Sequence, residues 1–407
     1  MNILSNNNSV YADYDAVIIG GGACGLMCAV QAGLIGKRIL ILEKNNRVGN
    51  KIRISGGGKC NYTNLEVDAT NFTSENQHFC KSVLSQWTVD DTIRFFQENG
   101  IFPQEKTLGQ LFPKGKNAQD VVDVFERQCQ KLKQEISCNT EVTHIAKQAE
   151  YFTIYAKKNG DLIQLNSPKI IIASGGLAIK KLGSTDVAMK IASNFGINLV
   201  TQAPALVPLV VTGKDQEWYQ KLSGTSIHAR VSNAKISFDE NILFTHWGLS
   251  GPAILQISSY WRQGQSFNID LLPDQDIISL LELARKIDGS KKLTTFMVQF
   301  YSRKFVDALQ KFIPIHKQIA TLTKSEMHQI HQIVHHFTVT PASDKGYEKA
   351  EVMRGGVATS EIYPKTLESK AISGLYFGGE CIDVTGWLGG YNFQWSWACG
   401  YVLANNI

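Results

Sequence analysis

The 407 residues are 43% hydrophobic and 19% charged, ordinary globular material too long for a single compact core, so two or three packed units are expected. Basic residues outnumber acidic ones by 41 to 36, for a formal charge of +5, a mild excess that permits an RNA partner without demanding one. Met1–Ser9 is Asn- and Ser-rich and lacks the charged-then-apolar pattern of an export signal, and no apolar run approaches the roughly 20 residues of a membrane span, so a cytoplasmic protein without membrane association is expected.

In chain order, a short apolar strand (Ala16 to Ile19), a glycine cluster, a small-residue helix (Gly25 to Leu34) and a second apolar strand (Arg38 to Leu42) form a βαβ opening. Asn117 is placed to cap a helix whose Val121, Val122, Phe125, Cys129 and Leu132 share one face. Short β-type runs follow from Glu141 to Ile172. From about residue 201 to 341 the texture changes, first to strand-like stretches (Ala205 to Val211, Ile227 to Phe238, Phe267 to Leu272), then to helical ones, Ile277 to Phe337. This reads as an insertion. The last segment returns to glycine-rich strands and turns before an apolar helix, Asn392 to Leu403, so the expected organisation is a discontinuous first domain (1–200 and 342–407) around an inserted domain (201–341).

The chemistry-bearing motifs lie in the outer segments. Gly20-Gly21-Gly22-Ala23-Cys24-Gly25 satisfies G-x-G-x-x-G between a strand and a helix, where glycines let the backbone approach a pyrophosphate at the helix N-terminus. Glu43, 18 residues beyond Gly25, ends the second strand where a carboxylate accepts from both hydroxyls of an adenosine ribose. Lys44 beside it and Val142 in the later β run are also taken as cofactor contacts.

Two further segments favour FAD over NAD. Ile170-Ile171-Ile172-Ala173-Ser174-Gly175-Gly176 is an apolar strand ending in small residues. Gly374 to Asp383 delivers Gly379, Glu380 and Asp383 to a turn, the acidic groups suited to ribityl hydroxyls. Beyond it, Thr385 to Asn392 leads through Gly389, Gly390, Tyr391 and Asn392 into the terminal helix. The free N–H groups of that helix suit the N1–C2=O edge of a flavin; a glycine hinge before a packed helix is the alternative. A fourth segment, Gly49 to Asn64, contains Lys51, Ser55, Gly57, Gly58, Lys59, Cys60 and Asn61, a glycine loop suited to phosphate and a flat ring.

These stretches resemble the BaiN/RdsA family of FAD-dependent oxidoreductases, also called the YhiN family. The likeness rests on Ser55 to Asn64, Leu111-Phe112-Pro113, Pro204 to Leu209, Leu249 to Ala253, Gly355-Gly356-Val357, Pro364 to Lys370 and Gly389 to Trp395, and it spans nearly the whole chain. Lys59 stands where many relatives carry Arg, and Trp387-Leu388 replaces a commoner small pair, which bears on the substrate side rather than on the cofactor. The resemblance implies an α/β fold: a glutathione-reductase-like, FAD-binding Rossmann domain, discontinuous, with an inserted β-rich plus helical domain. It also implies one of two activities, reduction of uridine to dihydrouridine in large-subunit (23S) ribosomal RNA or reduction of conjugated double bonds in oxo bile acids. Both reduce a carbonyl-conjugated C=C.

A bacterial cytosol always contains ribosomes, so the RNA substrate is the expectation. A small-molecule enone reductase and a non-catalytic FAD-containing RNA-binding assembly factor are the alternatives. With no second G-x-G-x-x-G after a strand, NAD(P)H is expected as a transient donor. Cys60, next to Lys59, and His246 are the candidate proton donors, each with a structural role as its alternative. The eight cysteines form no Cys-x-x-Cys pair and are read as reduced thiols. Lys51, Arg53, Lys59, Lys114, Lys116, Lys180 and Lys181 offer a basic rim for RNA phosphate. His328, His331 and His335 share a helix face, but without a nearby carboxylate-rich partner no metal is expected.

Overall fold

The structure is a computed structural model and describes residues 14–407; Met1–Ser9 lies outside them. The chain divides into two compact units, one built from residues up to 203 together with 352–407, the other from 204–351.

The first unit is organised by a five-stranded parallel sheet in the order Leu375–Phe377, Ile170–Ile172, Ala16–Ile19, Ile39–Leu42, Glu135–Ser137. The edge run LYF and the three inner runs III, AVII and ILIL are buried throughout, as expected of parallel strands covered on both faces. Helix Ala23–Leu34 crosses the terminal helix Tyr391–Ala404 at close range: a Cβ at Gly400 would lie 2.7 Å from the Cβ of Met27 and 2.8 Å from the carbonyl of Cys24. The terminal helix carries Trp395 and Trp397 fully buried, the latter stacked on Phe125 at 5.2 Å and donating from its indole N–H to the Tyr62 carbonyl at 2.8 Å. Asn117 caps helix Ala118–Lys131 through a capping box with Asp120. A three-stranded antiparallel meander (Thr140–Lys147, Phe152–Lys158, Asp161–Ser167) precedes the strand at 170.

The second unit holds a seven-stranded antiparallel sheet that runs Phe337–Val339, Phe267–Asp270, Ser226–Ser232, Ser237–Thr245, Gly248–Ser250, Leu209–Val210, Ser343–Asp344. The stretch Ile227 to Phe238, read from the sequence as one strand-like run, is the two arms of a hairpin. Asn233 makes the turn: its side-chain oxygen accepts from the N–H groups of Lys235 and Ile236, and its own N–H reaches the Ile236 carbonyl. Ser343–Asp344 pairs with Leu209–Val210, which keeps residues 342–351 with the second unit. The helical part comprises chiefly Ile277–Asp288 and Lys324–His335. Among the described residues no helix is long and apolar enough to cross a membrane.

Candidate cofactor site

The glycine turn is fixed by what lies beside it. Gly20 has φ +109°, and a Cβ there would sit 2.6 Å from the Ala173 carbonyl oxygen; a Cβ at Gly25 would meet the Gly20 carbonyl at 2.1 Å. No side chain other than hydrogen fits either place. At Gly22 the situation is reversed: no atom lies within 4 Å of an added Cβ, and this residue caps helix 23–34 with no side-chain hydrogen bond. The first-turn N–H groups of Ala23 and Cys24 bond no acceptor among the described residues, with the positive end of the helix behind them.

Glu43 is buried and holds this turn in place. One carboxylate oxygen accepts from the Gly21 N–H at 2.8 Å and the other from both nitrogens of Asn45, at 2.8 and 2.6 Å. Lys44 is half-exposed and pairs with Glu141 at 3.1 Å. Val142 is buried where the meander strand bulges, two residues after Thr140 donates its N–H to the Glu43 carbonyl.

A second cluster joins three distant stretches. Ala173 is buried, the Ser174 hydroxyl is buried without a hydrogen-bond partner, and Gly175 has φ +73°. Glu380 stands against this turn, 3.1 Å from where a Cβ of Gly176 would be. Its carboxylate pairs with Lys51 at 2.6 Å and accepts from the Met353 N–H at 3.0 Å. The two sequence candidates Lys51 and Glu380 thus neutralise each other. Met353 reaches Glu380 through its backbone N–H, which no sequence signal marks. Gly379 has φ +72° and accepts at its carbonyl from the Trp395 indole at 3.0 Å. Asp383 is buried and accepts from the Glu75 N–H at 2.8 Å; burial pushes its carboxyl above the usual range, with the Glu75 charge adding to it and the Glu75 N–H opposing.

The third cluster is the entry to the terminal helix. Gly389 and Gly390 have φ +120° and +101°. A Cβ at Gly390 would lie 2.5 Å from the Thr63 carbonyl carbon and oxygen and 2.9 Å from Asn61 Oδ1, a buried oxygen with no hydrogen-bond partner. Asn64, outside the sequence candidates, donates to the Gly389 carbonyl at 3.0 Å and the Leu108 carbonyl at 2.9 Å. Asn392 closes the turn by bonding both backbone groups of Gly386, and Tyr391 is buried beside Phe72. Helix Tyr391–Ala404 also begins without a side-chain cap.

The glycine loop follows a short helical turn. Asn50 to Ile54 form a helical turn, after which Ser55 is extended and Gly56, Gly57 and Gly58 all have positive φ, +55° to +81°. Ser55 spends its hydroxyl on the Ile52 carbonyl at 2.7 Å. Gly57 and Lys59 are exposed, and no atom lies within 4 Å of a Cβ at Gly57. Cys60 is fully buried with φ +57°, and burial pushes its thiol up to about 12, opposed by the Ser55 hydroxyl. That is the environment of a packed, protonated thiol rather than of an activated one. His246 belongs to the second unit, exposed on the turn between strands 237–245 and 248–250, its ring 3.9 Å from that of Trp247. All eight cysteines are free.

Two uncapped helix N-termini, two orphaned buried oxygens (Ser174, Asn61) and glycines whose Cβ positions face open space fit a long ligand with a pyrophosphate and a polar ring. The sequence profile described as HI0933-like protein Rossmann domain matches residues 14–406. The chain belongs to the HI0933-like family. The chain is 39% identical over 397 residues to the ribosomal RNA dihydrouridine synthase of Escherichia coli (strain K12), covering 97% of this chain and 98% of the relative. It is 30% identical to the 3-dehydro-bile acid delta(4,6)-reductase of Clostridium scindens, covering 95% and 97%. Among solved structures, 3-ketosteroid delta1-dehydrogenase from Sterolibacterium denitrificans is 13% identical with a TM-score of 0.52, covering 96% of this chain and 98% of that one, a likeness of fold. The resemblance read from the motifs and the HI0933-like match coincide, and the parallel sheet with its glycine turn is the Rossmann-type fold expected.

Proposed function

We propose that this chain is a FAD-dependent oxidoreductase that reduces uridine to dihydrouridine in large-subunit ribosomal RNA, with NAD(P)H as a transient electron donor. The observation that carries the reading is near-full-length similarity to a ribosomal RNA dihydrouridine synthase in a chain whose glycine turn, Glu43 and orphaned Ser174 and Asn61 oxygens fit FAD. Bound FAD, once reduced, supplies hydride to the far carbon of a C=C polarised by a carbonyl.

The chain's own groups bind and orient. Gly22, Ala23 and Cys24 present the helix end to the pyrophosphate, and Glu43 accepts from the adenosine ribose with the lone pairs that Gly21 and Asn45 leave over. Ser174, Gly175 and Asp383 face the ribityl side, with Lys51 and Glu380 holding the turn between them. Asn61, Gly389 and the first-turn N–H groups of the terminal helix address the polar edge of the ring. Neither Cys60 nor His246 is assigned the proton transfer.

The test is direct: purified protein with FAD and NADPH or NADH is incubated with protein-free ribosomal RNA, and dihydrouridine is measured by mass spectrometry of nucleosides. Dihydrouridine at one position is the expected outcome. The 30% identical relative supports a second reading, the same chemistry on a small enone. Efficient reduction of a steroid enone without dihydrouridine would replace the RNA assignment by that one. Tight RNA binding without turnover of either substrate would favour an assembly factor.

A further inference from the structure

The histidine face of helix Lys324–His335 does have carboxylate partners, and they come from another part of the second unit. His335 is mostly buried, its side chain 11% exposed, and its Nδ1 lies 2.9 Å from Asp270 Oδ1. A carboxylate only accepts, so Nδ1 carries the proton and Nε2 keeps its lone pair. That lone pair receives one long hydrogen bond, from the Ile277 N–H at 3.2 Å. One turn earlier on the helix, the His331 ring stands 5.0 Å from that of His335 and makes no hydrogen bond among the described residues. Facing them is Asp276, the N-cap of helix Ile277–Asp288; its Oδ2 accepts from Ser279, while Oδ1 has only the 3.3 Å contact with the Ile278 N–H. One ligand atom from each of Asp276, His331 and His335 lies within 4.8 Å of the other two.

We propose that Asp276, His331 and His335 form a binding site for a divalent transition-metal ion of the zinc class. Two imidazole nitrogens and one carboxylate oxygen are the donors such ions prefer, whereas calcium and magnesium take oxygen. The Asp270–His335 contact is the outer-shell carboxylate that fixes a ligating imidazole's tautomer and direction. Donors about 2 Å from one tetrahedral ion lie about 3.3 Å apart, so a pair at the 4.8 Å limit closes by about 1.5 Å, a movement open to the unbonded His331 ring. Asp276 is exposed and both histidines are partly so, which leaves a fourth position to water. A bound ion ties the start of helix 277–288 to the end of helix 324–335.

The flavin-loaded, chelator-treated protein is titrated with cobalt(II) chloride, followed by its visible ligand-field bands, and then with zinc chloride in competition. The expected result is one cobalt per chain, displaced by zinc, with affinity at least about tenfold weaker in both His331→Gln and Asp276→Asn, and unchanged in His328→Gln. At equal zinc the melting temperature of the wild type rises more than that of the two variants. Asp276→Asn keeps a capping oxygen, and metal-free melting of each variant reports its fold separately. Wild-type protein that binds no cobalt overturns the proposal. So do variants that bind it as the wild type does, or intense thiolate charge-transfer bands, since the ion would then sit elsewhere. Each readout is independent of RNA or enone turnover.

Discussion

Gly22 and Gly390 both stand just before a helix, but under opposite constraints. Gly22 has φ −85° and no protein atom near its missing Cβ; Gly390 has φ +101° and the Thr63 carbonyl 2.5 Å from that point. Gly22→Ala should cost the flavin-free fold no more than about 1 kcal/mol, from the poorer N-cap, and reduce FAD retention tenfold or more. Gly390→Ala should cost about 1–3 kcal/mol before any cofactor is added. Thermal melts of flavin-free protein beside flavin absorbance after gel filtration separate the two. An equal loss of fold stability at both sites would remove the claim that Gly22 faces the ligand. Asp383 gives a pH test. Burial raises its folded pKa, so the stability linked to its protonation is present below the unfolded value, about 3.9, and is lost as pH rises through the folded value. Asp383→Asn keeps an acceptor for the Glu75 N–H and removes that loss. In flavin-free melts the variant should gain on the wild type as pH rises from 4.5 to 8, while FAD binds more weakly. A pH-independent difference would contradict the assigned cause.

At the scale of elements, the close crossing of helices 23–34 and 391–404 depends on Gly400. Gly400→Leu drives a side chain into Met27 and the Cys24 carbonyl and should lower stability by about 1–3 kcal/mol, read as a lower denaturant midpoint with unchanged slope. This level also shows what the sequence conveyed. Continuous apolar runs such as III and AVII, and the glycine turn followed by Glu43, announce the parallel sheet and its ligand end because period and spacing are local. The 226–245 hairpin was hidden because Ser232 to Lys235 is only a short break inside β-type residues; the turn is made by one asparagine side chain. The partners of Glu380 were equally hidden. Lys51 lies 329 residues away, and Met353 contributes only an N–H.

For the molecule as a whole, the mild basic excess resolves into distinct groups. Lys51 and Arg53 of the expected rim are tied to Glu380 and Glu126. Lys59, Lys114, Lys116, Lys180 and Lys181 are exposed and form no ion pair among the described residues. If RNA phosphate is held there, Lys114→Glu with Lys116→Glu should raise the Michaelis constant for RNA several-fold and flatten its salt dependence. Flavin reduction by NADPH in stopped flow should stay unchanged; slower reduction would place these lysines at the donor instead. The His331 and His335 face was visible in the sequence at helical spacing, yet its carboxylates were not, because Asp270 and Asp276 lie more than fifty residues upstream and reach it only through the fold.

The terminal helix has one more consequence, for the order in which the chain matures. Strand 16–19 and helix 23–34 are synthesised long before helix 391–404, which packs on helix 23–34 at Gly400, and a neighbour of strand 170–172 is strand 375–377. During translation the first unit therefore waits, its nucleotide end half-built, while residues 204–351 emerge with every strand of their own sheet. Contacts this distant in sequence make closure slow, and the nascent first unit carries exposed apolar strands until helix 391–404 leaves the ribosome.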